Sequence, residues 1–160
     1  MHAEPIDTNR LLLRARLASE PGVKVMLEGH PIPLPPEVEQ SMLRWTGEAL
    51  FNAAAHGKAT RALVRLRYRA DAVALSVSDN GTGDPAQLRR ALRLSCASDL
   101  SGQHRGLANM LALAEELGGV LSIRRSRSGG VFLRLDIPLP LFGPRAADSR
   151  RPAEGGGGDA

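Results

Sequence analysis

Residues 48–56 read EALFNAAAH, and their three polar side chains recur at every fourth position: Glu48, Asn52 and His56. Ala, Leu and Phe around them favour a helix, and residues four apart on a helix stack on one ridge. A solvated face would carry more charge than this one, which has none between Phe51 and His56. Two oxygen-bearing side chains one turn apart suit a hard cation such as Mg²⁺, which takes oxygen ligands and keeps several waters. His56 stands near the helix end, where an imidazole commonly caps or packs.

Working outward, 37–57 reads as the best helix of the chain. Leu43, Leu50 and Ala54 form its apolar face, with Met42, Ala49 and Ala53 beside them. Before it, HPIPLPP is a connector that excludes regular structure. VKVMLEG from Val23 alternates as a strand does, and a short helix capped by Asp7 or Thr8 is expected up to about Ser19. After it, ALVRLRYR from Ala62 and AVALSVSD from Ala72 read as a hairpin with a tight turn at Ala70 and Asp71. Residues 84–103 read as polar and irregular, with one helical turn at AQLRRAL. GLANMLALAEELGG is a helix closed by Gly118 and Gly119. VLSIRRS and VFLRLDIPL form a second hairpin around Ser128, Gly129 and Gly130. The order predicts an α/β fold, a two-layer sandwich of a mixed sheet covered on one face by helices. The expected divisions are a lead-in at 1–22, one domain at 23–142 and a disordered tail at 143–160.

Composition narrows the function classes. The chain has 160 residues, 42% of them hydrophobic, which suits one domain with a core. Aromatic residues make up only 3%, so that core is aliphatic. The formal charge of +4 suits an anionic partner without choosing among them. Neither a stacking platform nor a dense basic stripe is visible, so no nucleic-acid partner is expected. The single cysteine, Cys96, excludes an internal disulfide and points to a reducing compartment. No apolar run is long enough for a membrane span, and the N-terminus is a poor signal peptide. A cytoplasmic location with no membrane contact follows as the expectation.

Two further motifs carry chemistry. DNGTG, from Asp79 to Gly83, follows a buried strand; its glycines open the backbone to a ligand, and Asp79 offers only acceptors, so it selects a ligand with an exposed amine. A simple turn would explain Asp-Asn-Gly alone. In SGQHRGLANM, Gly102 and Gly106 flank a helix start, where free N–H groups and the helix dipole favour phosphate, and Arg105 adds charge. The segment joining the two motifs is long for a structureless connection, as functional loops are.

Taken in this order, the motifs resemble the ATP-binding catalytic domain of sensor histidine kinases, within the gyrase, heat-shock chaperone, histidine kinase and mismatch-repair ATPase superfamily. EALFNAAAHGKAT resembles its asparagine box, DNGTG its first glycine box, GQHRGLANM its second, and SGGVFLRLDIP its closing strand pair. HGKAT and RGLANM are similar to the subclass that works with response regulators of the nitrate-sensing type. The resemblance implies the Bergerat-type ATP-binding fold and a set of roles. Asn52 would ligate Mg²⁺, and Glu48 would polarise a metal-bound water or orient the nucleophile. Asp79 would accept the adenine amine, and Gly81 and Gly83 would lie under the purine and ribose. Gly106, with Leu107 at the start of the next helix, would hold the β- and γ-phosphates, with Arg105 and His56 nearby. Residues 84–103 would be the mobile lid.

Three departures stand out. The basic residue three after the asparagine is here Ala55, with Lys58 out of register. The alanine after the histidine is Gly57, which would loosen the helix end. The threonine after the last glycines is Val131. Losing a charge-assisted and a water-held hydrogen bond would weaken ATP binding by about 1.5–3 and ~1 kcal/mol. None of His2, His30, His56 and His104 sits in a phosphoacceptor setting. The implied partners are therefore a histidine-bearing dimerisation domain and a response regulator, with this chain a monomer in isolation. The alternatives are a stand-alone serine kinase of the anti-sigma-factor type and a degenerate module that binds a partner without catalysis.

Overall fold

The computed structural model describes residues 22–95 and 105–139. The expected helix at 8–19, the tail from 143 and residues 96–103 of the expected lid lie outside these residues. The elements are β1 (Val23–Glu28), α1 (Pro36–Ala55), β2 (Ala62–Tyr68), β3 (Ala72–Asp79), α2 (Pro85–Ser95), α3 (Arg105–Glu116), β4 (Val120–Arg125) and β5 (Val131–Pro138). They form one five-stranded sheet in the order β1-β2-β3-β5-β4. β1 pairs parallel with β2, which the crossover through α1 makes possible; every other pair is antiparallel. The expected mixed sheet and both hairpins are borne out.

Alternation decides which face is covered. Val64, Leu66 and Tyr68 of β2 point to the helices, while Arg65 and Arg67 point away. β5 repeats the pattern with Val131, Leu133, Leu135 and Ile137 buried. All three helices therefore serve one face of the sheet.

The buried stripe of α1 differs from the expected one. Met42, Trp45, Ala49 and Ala53 are buried, whereas Leu43 and Leu50 are half-buried and Ala54 is exposed. The apolar arc of this helix is wide, so local pattern alone left its centre open. The fully enclosed Trp45 sets it, with small Ala49 and Ala53 following at i+4 and i+8. Trp45 Nε1 has no hydrogen-bond partner, so the indole is held by packing alone. Pro36 opens the helix, where a missing N–H does no harm, and Glu37 and Glu39 complement its positive end.

The segment after Asp84 corrects the expectation of irregular chain. It is an 11-residue helix, Pro85–Ser95. Asp84 caps it: its Oδ1 accepts the Ala86 N–H at 3.0 Å and its carbonyl accepts the Leu88 N–H at 3.1 Å. Pro85 then takes the first helical position. Leu88 and Leu92, four apart, pack against the core beside the buried Ala91, and Arg89 Nη1 donates to the Ile123 carbonyl at 2.8 Å. The Asp-Pro pair was the signal in the sequence, and the density of arginine obscured it.

Candidate functional site

α1 and α3 pack side by side, and their contact brings three sequence-predicted residues together. A Cβ built on Gly106 would stand 3.0 Å from Glu48 Oε2 and 3.3 Å from Asn52 Oδ1. Two hard oxygens thus converge on the point left open by a glycine in the first turn of α3. Asn52 Nδ2 also faces Met110 Sδ at 3.8 Å, which steadies the amide with its oxygen toward Gly106. Leu107 is buried in the core, so it offers this place only its backbone. His56 and Arg105 are exposed. His56 caps α1, and its ring meets Phe51 edge-on with centroids 6.2 Å apart.

Among the described residues no three His, Cys, Asp or Glu side chains gather as a metal cluster. The convergent oxygens of Glu48 and Asn52 nevertheless fit a hard cation that draws its remaining ligands from water and phosphate.

Asp79 ends β3 and is only 5% exposed. Its Oδ1 accepts the Gly81 N–H at 2.8 Å and the Val131 N–H at 3.3 Å. Its carbonyl accepts from Ser128 Oγ at 2.9 Å. The carboxylate is therefore aimed by two strands at once. Gly130 makes this possible, since a Cβ there would collide with Asp79 Oδ1. In the sequence Gly130 stood in a turn and in the SGGVFLRLDIP stretch; nothing local marked it as the neighbour of Asp79.

The glycines of DNGTG are also hemmed in by the chain itself. The space beside Gly81 is filled by the carbonyl of Gly57, and a Cβ on Gly83 would lie 2.9 Å from Val131 Cγ2. At both positions the protein's own chain leaves no room for a side chain. Gly57 is likewise no loosened helix end. It is buried, a Cβ on it would meet the Ala53 carbonyl at 2.8 Å, and its own carbonyl accepts Thr82 N–H at 2.7 Å and Thr82 Oγ1 at 3.2 Å. Asn80 completes the fastening: its Oδ1 accepts the backbone N–H groups of Thr60 and Arg61 at 3.0 and 2.9 Å. The end of α1 and the loop after β3 are thus one fixed wall.

Val131, where a threonine was expected, meets Asp79 through its backbone N–H, a contact any non-proline residue keeps. Ala55 is exposed.

Residues 37–141 match the family described as histidine kinase-, DNA gyrase B-, and HSP90-like ATPase. The chain is 33% identical over 144 residues to the sensor-type histidine kinase PrrB of Mycobacterium leprae, covering 85% of this chain and 32% of that protein. It is 30% identical over 150 residues to the nitrate/nitrite sensor protein NarX of Escherichia coli, covering 81% and 23%. The chain thus spans a third or less of these relatives. Among solved structures, the ATP binding domain of PrrB from Mycobacterium tuberculosis aligns with TM-score 0.56 and 25% identity, over 83% of this chain and 90% of that one. The histidine kinase domain of the E. coli osmosensor EnvZ shares the fold, with TM-score 0.62 and 20% identity over 97% and 93%.

Proposed function

We propose that this chain, which belongs to the histidine kinase-, DNA gyrase B-, and HSP90-like ATPase family, binds Mg²⁺-ATP between α1, the loop after β3 and α3, and donates the γ-phosphate to a histidine on a separate dimerisation domain. The ATP-binding catalytic role goes with the family. The observation that carries the reading is the convergence of Glu48 and Asn52 on Gly106 at the start of α3.

Phosphoryl transfer asks a protein for positioning and charge stabilisation rather than covalent chemistry. Asp79 supplies the selective end. A fixed acceptor-only carboxylate takes the exocyclic amine of adenine and opposes the carbonyl that guanine presents there. Gly81 and Gly83 supply backbone beside the purine and ribose. The N–H groups of Gly106 and Leu107, at the positive end of a 12-residue helix, meet the β- and γ-phosphates. Arg105 and His56 stand at the rim, on the solvent side of the phosphates. Asn52 Oδ1 would hold the metal, and Glu48 would polarise its bound water or orient the attacking group. Mg²⁺, when bound, neutralises charge on the phosphates.

The partners that complete the reaction are a helical domain bearing the phosphoacceptor histidine and a response regulator, with this chain monomeric in the cytoplasm. No helix among the described residues is long and apolar enough to cross a membrane.

Calorimetric titration with Mg²⁺-ATP, with Mg²⁺-GTP as control, tests the pocket. Binding of ATP and not GTP is expected, and binding of neither would leave a degenerate module. Labelled ATP incubated with candidate acceptor proteins tests the transfer. Acid-labile phosphate marks histidine, and acid-stable phosphate would replace this reading with a serine kinase.

A further inference from the structure

The sheet face turned away from the helices holds a hollow of about 800 Å³ with an unusual lining. On the β1 and β2 side it presents Lys24, Arg61 and Arg65; on the β4 and β5 side it presents Arg124, Arg125, Arg127 and Arg134. No carboxylate is among its described lining residues.

The strand register explains the arrangement. One row across the sheet runs Lys24, Leu63, Ser78, Phe132, Arg124, and the next runs Met26, Arg65, Ser76, Arg134, Ser122. Cations thus stand on both flanks of a serine floor on β3, with Lys24 and Arg124 four strand spacings apart, about 19 Å. The third row places Glu28 and Asp136 at the far end. There they pair with Arg65 at 3.3 Å and Arg134 at 2.8 Å. Arg125 reaches Asp84 at 3.8 Å. Lys24, Arg61 and Arg127 make no ion pair among the described residues. Arg125 shares its row with Val131 and pairs with Asp84 toward the helix side, so it is left out of the balance. With Arg67 beside the hollow, the other seven cations against Glu28 and Asp136 leave a surplus of five on this face, more than the +4 of the whole chain.

We propose that this face is a docking groove for an acidic polypeptide segment of a partner protein. Six of the seven lining cations are arginine, whose planar fork matches carboxylates, and the face already uses that pairing at its rim. A nucleic-acid strand fits less well. Single strands add base stacking on open aromatic faces to their phosphate contacts, and the one ring among the described lining residues, Phe132, is covered by the Arg124 guanidinium at 4.9 Å. A lipid surface is flat, and this face is hollow. The groove lies across the sheet from Glu48 and Asn52, with Asn80 and Ser128 at its end nearest Asp79.

The test is a fluorescence-polarisation titration of the full chain with labelled oligoglutamate. Salt-dependent binding is expected, weakened at least about tenfold by the exposed triple variant Lys24→Glu, Arg61→Glu, Arg127→Glu and not by Arg90→Glu, Arg93→Glu on α2. Circular dichroism of each variant checks the fold. Absence of binding, equal binding to the triple variant, or equal loss in the α2 variant would overturn the proposal. So would displacement of the peptide by Mg²⁺-ATP, or tighter binding of an oligonucleotide of matched charge or of anionic vesicles. None of these outcomes depends on whether the chain transfers phosphate.

Discussion

Gly130 and Asp79, 51 residues apart in the chain, touch so closely that no side chain fits between them. A Cβ on Gly130 would meet the carboxylate Oδ1 and lie 2.6 Å from the Asp79 carbonyl. Gly130→Ala is therefore expected to destabilise the protein by about 1–3 kcal/mol through overpacking and to weaken ATP binding as Asp79 is displaced. Gly129→Ala is the control. Gly129 has φ +102° and open space around it, so the change adds backbone strain of about 1–2 kcal/mol while ATP affinity stays. Urea unfolding and calorimetry read the two effects; equal loss of affinity in both variants would contradict the close approach as the cause.

Asp79→Asn keeps an acceptor for the N–H groups of Gly81 and Val131 and removes the charge. The fold is expected to persist, while Mg²⁺-ATP affinity falls at least about tenfold, near 1.4 kcal/mol. If this variant bound ATP like the parent, the adenine assignment would have to be given up.

Gly106→Ala separates stability from function. Alanine suits a helix better than glycine, by up to about 1 kcal/mol, so thermal stability is expected to hold or rise. The new methyl group stands between Glu48 and Asn52, so ATP affinity is expected to fall. A variant that binds ATP normally would show that the phosphates lie elsewhere.

Trp45 is the one tryptophan of the chain and is fully buried. Trp45→Ala is expected to cost about 3–5 kcal/mol. Trp45→Phe loses volume but also the unpartnered Nε1, and is expected to cost well under half of that. Urea midpoints by circular dichroism measure both, and equal losses would show that the filled volume does not set the cost.

Asp84→Ala removes the cap of α2 and the ion pair to Arg125. A loss of about 1 kcal/mol is expected, with faster amide exchange confined to α2. Unchanged exchange there would mean that packing of Leu88 and Leu92 alone holds the helix.

The sequence by itself determined the element types and their order. Period-two alternation in β2, β3 and β5 and period near 3.6 in α1 and α3 are local properties, set by where successive side chains point. The candidate residues Glu48 and Asn52 were legible as polar residues in an apolar helix, whereas Asp79 and Gly106 stood out only through the order of the motifs and the resemblance they carry. The missed helix α2 was also local, signalled by Asp84 and Pro85 and hidden by its charge.

Only the tertiary structure decided which glycine faces which partner. Gly106 opens toward Glu48, Gly81 toward Gly57 and Gly130 toward Asp79. Likewise, the arginines of β2, β4 and β5 look unremarkable strand by strand and become one basic face when the register sets them side by side. A missing side chain leaves no local mark of what occupies its space. That is settled when distant segments close-pack, where a single methyl group decides what fits.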